Sequence, residues 1–281
     1  MGAVDSPSLS EALLGLRRRY GMDVVHRGQD VEPVWPTGIP AIDCQLTAGG
    51  LTQGRISVLA AGSRGATGRL TLLQSLVAIA SRSMDTIYVD CAGTLDPGFL
   101  ADLGANLESC LVVTPGAGKW GAALSMARAL AGAGVPWLGV ALDEKQLSQG
   151  KSAHFSGWEH ALSALAEAVW RSRSVCVVAA PPRLPAALAH ASSLTLECCQ
   201  LGWQQAHGDV TGIRVRLSVV KSRLGAPGAE ATVLLRYPRP YAAAGVVNAP
   251  ALVDAPALVT LPSPLERPPA DEPAWKRSLA G

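Results

Sequence analysis

No stretch of the 281 residues reaches the roughly 18 continuous apolar residues of a membrane span, and the first residues lack the apolar core of a signal peptide. A soluble, cytoplasmic protein with no membrane partner is predicted. Charge of one sign is scarce as well. The 24 Lys+Arg and 22 Asp+Glu leave a net charge of +2, too small an excess to announce a nucleic-acid binder from composition. Any DNA contact must be argued from local groups. The six cysteines, Cys44, Cys91, Cys110, Cys176, Cys198 and Cys199, contain no CxxC pair, so the common zinc and redox spacings are missing. Cys198 and Cys199 are adjacent in a predicted strand and would point to opposite faces, which prevents them from sharing a metal. Buried free thiols and no metal site are expected. There is no internal repeat.

What is present is a long run of alternating elements. The apolar segments ISVLAA (56–61), TIYVD (86–90), CLVVTP (110–115), WLGVALD (137–143) and VCVVAA (175–180) suit strands of a parallel sheet covered on both faces. Helix patterns lie between them near 69–83, 97–104, 119–133 and 157–171. The fold class expected is α/β, a mostly parallel sheet with helices on both faces. SLTLECCQLGW (193–203), IRVRLSVVKSRL (213–224) and ATVLLRYP (231–238) alternate more strictly and are separated by turn signals at His207-Gly208-Asp209 and Ala226-Pro227-Gly228. They predict an antiparallel C-terminal extension of the sheet.

Three parts follow: an N-terminal helix and linker (1–34), a core domain (35–238) and a Pro/Ala-rich tail (239–281) expected to be weakly ordered. Ser8 and Glu11 have capping-box spacing, and Leu9, Leu13, Leu16 and Tyr20 share one helical face. Arg17, Arg18 and Arg19 either face solvent or touch a phosphate backbone. In the tail, Trp275, Lys276, Arg277 and Leu279 form a small apolar and basic cluster, a docking peptide or a free end.

The strand ending at Ala61 runs into a Gly-rich turn and then a helix from about Arg69, the arrangement that holds phosphates in P-loop proteins. Such a loop needs Gly-x4-Gly-Lys-Ser/Thr: glycines for close backbone approach, Lys for phosphate oxygens, and a hydroxyl for magnesium. Gly62 and Gly68 are separated by five residues here, with Gly65 between them, and the first required glycine position is Ser63. Arg69 replaces Lys, with a planar fork that need not fit a cradle built for an ammonium. Leu70 stands at the hydroxyl position, and Thr71 is about 100° further round the helix.

With its flanks, the chain resembles bacterial RecA over about residues 9–238. The resemblance rests on LLGLRRRYGMDVVHRGQDVEPVWPTGIPAIDCQLTAGGLTQGRI, on YVDCAGTLDPGFLADLGANLESCLVVTP, and on GIRVRLSVVKSRLGAPGAEATVLLRY. It implies a RecA-like P-loop core with altered chemistry. The position two after Asp90, where the family carries the Glu that prepares the attacking water, is Ala92, which can neither polarise water nor accept its proton. Asp143 matches the Walker B acid or is a strand-end carboxylate. The resemblance implies DNA-binding loops after the fourth and fifth strands. The first would offer Lys145, Lys151 and His154; the second, shortened to PPRLPAALAHASS, offers Arg183 and His190. The Asn-Gln strand end that senses nucleotide in the family is Ala179-Ala180. Lys221 and Arg223 match the two basic residues that reach a neighbouring subunit's ATP in RecA filaments, and their alternation would place both on one strand face.

Within that wider family the chain is similar to ImuA-type proteins, RecA-related partners of ImuB and an error-prone polymerase in the SOS response. The features carrying this are Trp35-Pro36-Thr37-Gly38 after His26-Arg27-Gly28, the altered loop and the reduced second loop. The expectation is a non-catalytic accessory protein of DNA repair and translesion synthesis. Its expected partners are RecA and/or an ImuB-type subunit, with single-stranded DNA as a further ligand. No resident cofactor is expected, leaving weak ATP binding open. The alternative is a DNA-dependent ATPase of the RecA family with an atypical P-loop.

Overall fold

The computed structural model describes residues 9–20, 32–62, 66–116, 118–142, 155–223 and 227–237. Ser63, Gly65, Asp143, Lys145, Lys151, His154 and the predicted tail lie outside them. Two compact units divide at Pro33 and Val34. The first contains helix α1 (Leu9–Tyr20), which carries Glu11 in its first turn, where a carboxylate suits the helix dipole. Leu14 and Leu16 are exposed on it.

The second unit begins with a pair of two-residue strands, β1 (Val34–Trp35) and β2 (Leu51–Thr52), antiparallel to each other. A short π-type turn, Ala41–Leu46, lies between them and buries Ile42 and Leu46. Gly50 has to be glycine. Its φ is +144°, and an added Cβ would overlap the Trp35 carbonyl and sit 2.9 Å from the Pro36 Cα.

The main sheet has eight strands in the order β10-β9-β8-β3-β7-β6-β4-β5. They are β3 (Ile56–Ala61), β4 (Thr86–Asp90), β5 (Cys110–Val113), β6 (Trp137–Ala141), β7 (Val175–Ala180), β8 (Ser192–Ala206), β9 (Asp209–Ser222) and β10 (Glu230–Arg236). The pairings from β8 through β3 to β5 are parallel; β8–β9 and β9–β10 are antiparallel. The expected C-terminal extension is therefore present. At the β8–β9 turn His207 (φ 53°) and Gly208 (φ 88°) both take the left-handed conformation of a tight hairpin.

Every residue of β3, β4, β6 and β7 is buried, as their apolar sequences require. Strand β5 departs from expectation. It is shorter than the apolar run 110–115 and leaves Leu111 and Val112 exposed, because among the described residues it is the edge of the sheet, with a strand neighbour on one side.

Helix α2 (Arg69–Ser81) covers one face, packing Leu72, Leu73, Leu76 and Val77 onto Leu59, Trp137, Val177 and the inner side of β8–β10. Gly139 makes room there: a Cβ would be 3.1 Å from the Trp137 ring and 3.3 Å from Leu73. On the opposite face lie α4 (Trp120–Gly132), α5 (Phe155–Ser172) and the short α6 (Ala186–Ala191), packed over Val58, Val89, Leu138, Val140 and Val178. Trp120 and Trp158 meet edge-on at 5.7 Å in this second core. Helix α3 (Pro97–Asp102) starts as the Leu-Asp-Pro signal predicts: Asp96 accepts from the Gly98 N–H at 2.8 Å and Pro97 opens the first turn.

All six cysteines are free thiols, and the described residues contain no group of His, Cys, Asp or Glu able to hold a metal. Cys198 faces the core while Cys199 is half-buried on the other side. Burial pushes the Cys176 and Cys198 thiols up to about 12. In a thiol-labelling time course at mildly alkaline pH, exposed Cys44 will react first, and Cys91, Cys176 and Cys198 only as the protein unfolds. Fast labelling of all six in the native state would contradict this packing.

Candidate functional site

Strand β3 delivers the chain to the glycine-rich turn, and two structural facts shape its start. The Gly62 N–H donates to the Cys198 carbonyl at 2.9 Å, extending the β3–β8 ladder by one step. A Cβ on Gly62 would collide with the Cys199 Sγ and lie 2.8 Å from the Glu197 Cγ, so the side chains of β8 lean over the beginning of the loop. Further along, Gln200, with its amide oriented to match donor to acceptor, donates to the Ala66 carbonyl at 2.9 Å and accepts from the Trp203 indole N–H at 3.0 Å. Thr67 is buried, and its hydroxyl meets no hydrogen-bond partner.

Gly68 caps α2 in the left-handed conformation (φ 75°), where a Cβ would be 2.6 Å from the Val215 Cγ2. Arg69 follows in the first turn and is only 8% exposed. Its charge acts on Cys198, opposing the upward push of burial on that thiol, which places the guanidinium beside β8. Leu70 packs against the core under α2. The Thr71 hydroxyl is within hydrogen-bonding reach of the Tyr237 phenol, whose pKa burial raises and this contact lowers. Tyr237 itself lies between Phe99 and Trp203, with ring centroids 6.3 Å and 6.5 Å away.

Across the strand tips, Asp90 is engaged by its own turn. Its Oδ1 accepts from the Gly93 N–H (2.8 Å) and Thr94 N–H (3.3 Å), and Oδ2 accepts from the Leu95 N–H (2.9 Å), closing the turn after β4. Ala92 packs against the core, and its N–H donates to the Ala141 carbonyl at 3.1 Å. The buried Ala179 and Ala180 end β7 with no side-chain polar group. Arg183 is exposed on the turn that follows, and His190 is exposed in the last turn of α6.

Of the predicted basic pair only Lys221 lies within β9. Lys221 Nζ donates to the carbonyls of Ala189 (2.6 Å), His190 (3.0 Å) and Ser192 (2.6 Å), capping the C-terminus of α6. Desolvation lowers its pKa, and Arg223 lowers it further. Arg223 lies past the end of β9, exposed, with its N–H on the Ser193 carbonyl at 3.0 Å. Helix α6 escaped sequence reading because AALAHA is too short for a periodic signal. The Gln200 contact was equally hidden, since nothing local links it to a loop 134 positions earlier at Ala66.

A P-loop-type strand, turn and helix at the centre of a mostly parallel sheet, joined to a C-terminal antiparallel hairpin, define a RecA-like core. The comparisons agree. The RecA N-terminal domain model matches residues 8–142. RecA of Aquifex aeolicus is 27% identical over 256 residues, covering 80% of this chain and 72% of that protein; RecA of Herpetosiphon aurantiacus is 26% identical over 262 residues, covering 82% and 71%. The crystal structure of the RadB recombinase superposes with a TM-score of 0.57 at 16% identity, covering 70% of this chain and 93% of that one. The chain is RecA-like in sequence and in fold.

Proposed function

We propose that this chain is a non-catalytic, RecA-like accessory protein of DNA repair and damage-induced translesion synthesis, acting by contact with RecA or an ImuB-type subunit. One observation carries the non-catalytic part: the positions that would handle a triphosphate have become packing positions. Leu70 lies against the core and offers magnesium no donor, Thr71 turns its hydroxyl to Tyr237, and Ala92 packs where a general base would stand. The donor set does not fit magnesium-triphosphate hydrolysis. DNA repair as the setting rests on likeness to proteins named RecA.

The second reading, an atypical DNA-dependent ATPase, draws support from the left-handed Gly68 and the unpartnered buried Thr67 hydroxyl, which suit a loop that still wraps an anion. Two measurements separate the readings. The accessory reading expects capture of purified RecA or an ImuB-type subunit without nucleotide, and no ATP turnover at millimolar Mg-ATP with single-stranded DNA. DNA-stimulated turnover would overturn it. Arg223→Glu is expected to weaken RecA capture, and it is a cleaner probe than changing Lys221, because Lys221 holds three carbonyls of its own chain. Salt-dependent DNA titration tests Arg183 as a phosphate contact.

A further inference from the structure

The helices α4, α5 and α6 cover the strands from β3 to β4, but no residue of β8, β9 or β10 joins the core they form. Among the described residues the outer face of the antiparallel extension is therefore open. Strand β10 shows this directly, with a strict exposed–buried alternation from Glu230 to Arg236. The register arranges the open face in rows: Glu197, Ser218 and Glu230 in one, Arg216 and Thr232 in the next, then Arg214 opposite Leu234, with Arg236 two residues beyond Leu234. Arg216 is partly answered by Glu230, with Nε 3.9 Å from Oε1. Arg214 and Arg236 are exposed and have no ion pair among the described residues. Between them Leu234 is 37% exposed, and Val220 extends the apolar surface along β9 at 59%.

We infer that this face docks an acidic protein segment, whose carboxylates pair with Arg214 and Arg236 while an apolar side chain between them rests on Leu234. Two unanswered guanidiniums flanking an apolar spot match alternating carboxylate and apolar side chains, and arginine forms bidentate pairs with carboxylates. A single-stranded nucleic acid fits less well. Among the described residues the face carries no aromatic ring on which a base could stack, and Glu197 and Glu230 would repel a continuous phosphate chain. The inference deepens the accessory reading and rests on it for the existence of a protein partner.

The test uses the full chain and a short fluorescein-labelled peptide of alternating Asp and Leu, with a Ser/Leu peptide and an oligothymidylate as comparators. The acidic peptide should bind in preference to the Ser/Leu peptide, with salt-sensitive affinity. The variant R214E/R236E should bind it at least about tenfold more weakly and should acquire binding to a Lys/Leu peptide. Leu234→Ser should weaken acidic-peptide binding without inverting the charge preference. If the reversed variant fails to fold, R214Q/R236Q takes its place and should lose affinity without the inversion. Equal binding by wild type and variants would overturn the inference. So would displacement of the peptide by oligothymidylate, which would make the face a nucleic-acid surface. Failure of the wild-type chain to bind the acidic peptide, with RecA capture intact, sinks the inference alone; wild-type peptide binding with no capture of RecA or ImuB sinks the accessory reading alone.

Discussion

Replacing Trp137 with alanine is expected to destabilise the core unit by about 3–5 kcal/mol, a large share of the roughly 5–15 kcal/mol that holds a typical domain together. The indole is fully buried at the start of β6. It meets Trp35 edge-on at 5.8 Å and lies over Gly139 beneath Leu73 and Val77 of α2. The cavity would open at the junction of lead-in segment, helix and sheet, where no single element can move in to fill it. Trp137→Phe should cost much less, because the indole N–H is buried without an acceptor and the phenyl ring removes that unmet donor. Guanidinium unfolding of the three proteins checks both statements. A midpoint for the alanine variant within error of wild type would show that the ring is not packed as described.

The second large effect is expected at Asp43. Its Oδ1 accepts from the Thr37 N–H (3.0 Å) and Thr37 hydroxyl (2.7 Å), and Oδ2 accepts from the Gly38 N–H (3.0 Å). Thr37 is fully buried. Asp43→Ala leaves those donors without the charge that holds them, at a cost of about 3 kcal/mol, since bonds to charged groups contribute more than neutral ones. Asp43→Asn keeps oxygen acceptance on one side and should fall between. Amide exchange at Thr37 and Gly38 is the direct reading: it should accelerate in the alanine variant before the sheet opens. Unchanged exchange together with an unchanged melting curve would remove Asp43 from its role.

These two sites also show what a sequence discloses. The buried strands β3, β4 and β7 were legible residue for residue, because continuous apolar runs flanked by turn residues admit few other arrangements. The Thr-Gly and Asp landmarks of the lead-in segment were legible as a resemblance, but their physical meaning appeared only with the carboxylate clasp between Asp43 and Thr37-Gly38. Edge position was not legible. Nothing in CLVV reveals that its strand has a neighbour on one side only. At the candidate site the substitutions at Arg69 and Leu70 were plain from spacing and that at Ala92 from the resemblance, whereas the place of the Arg69 guanidinium depends on β8, more than a hundred residues away. Lys221 is the sharpest case. The resemblance implied a reach to a neighbour, and a three-carbonyl cap at the end of α6 draws it inward.

The central position of β3 has a consequence for how the chain is made. Its two sheet neighbours are β7 and β8, so Ile56 pairs with Cys176 on one side and Ser192 on the other. Both partners are synthesised more than a hundred residues later. During translation the fully buried ISVLAA segment must wait, shielded at most by α2, until the chain has passed Cys198. Closing loops of that length makes assembly of the sheet slow and leaves an unpaired strand open to association with other nascent chains. The strand that organises the finished fold is thus the last of those with parallel neighbours on both sides to be enclosed.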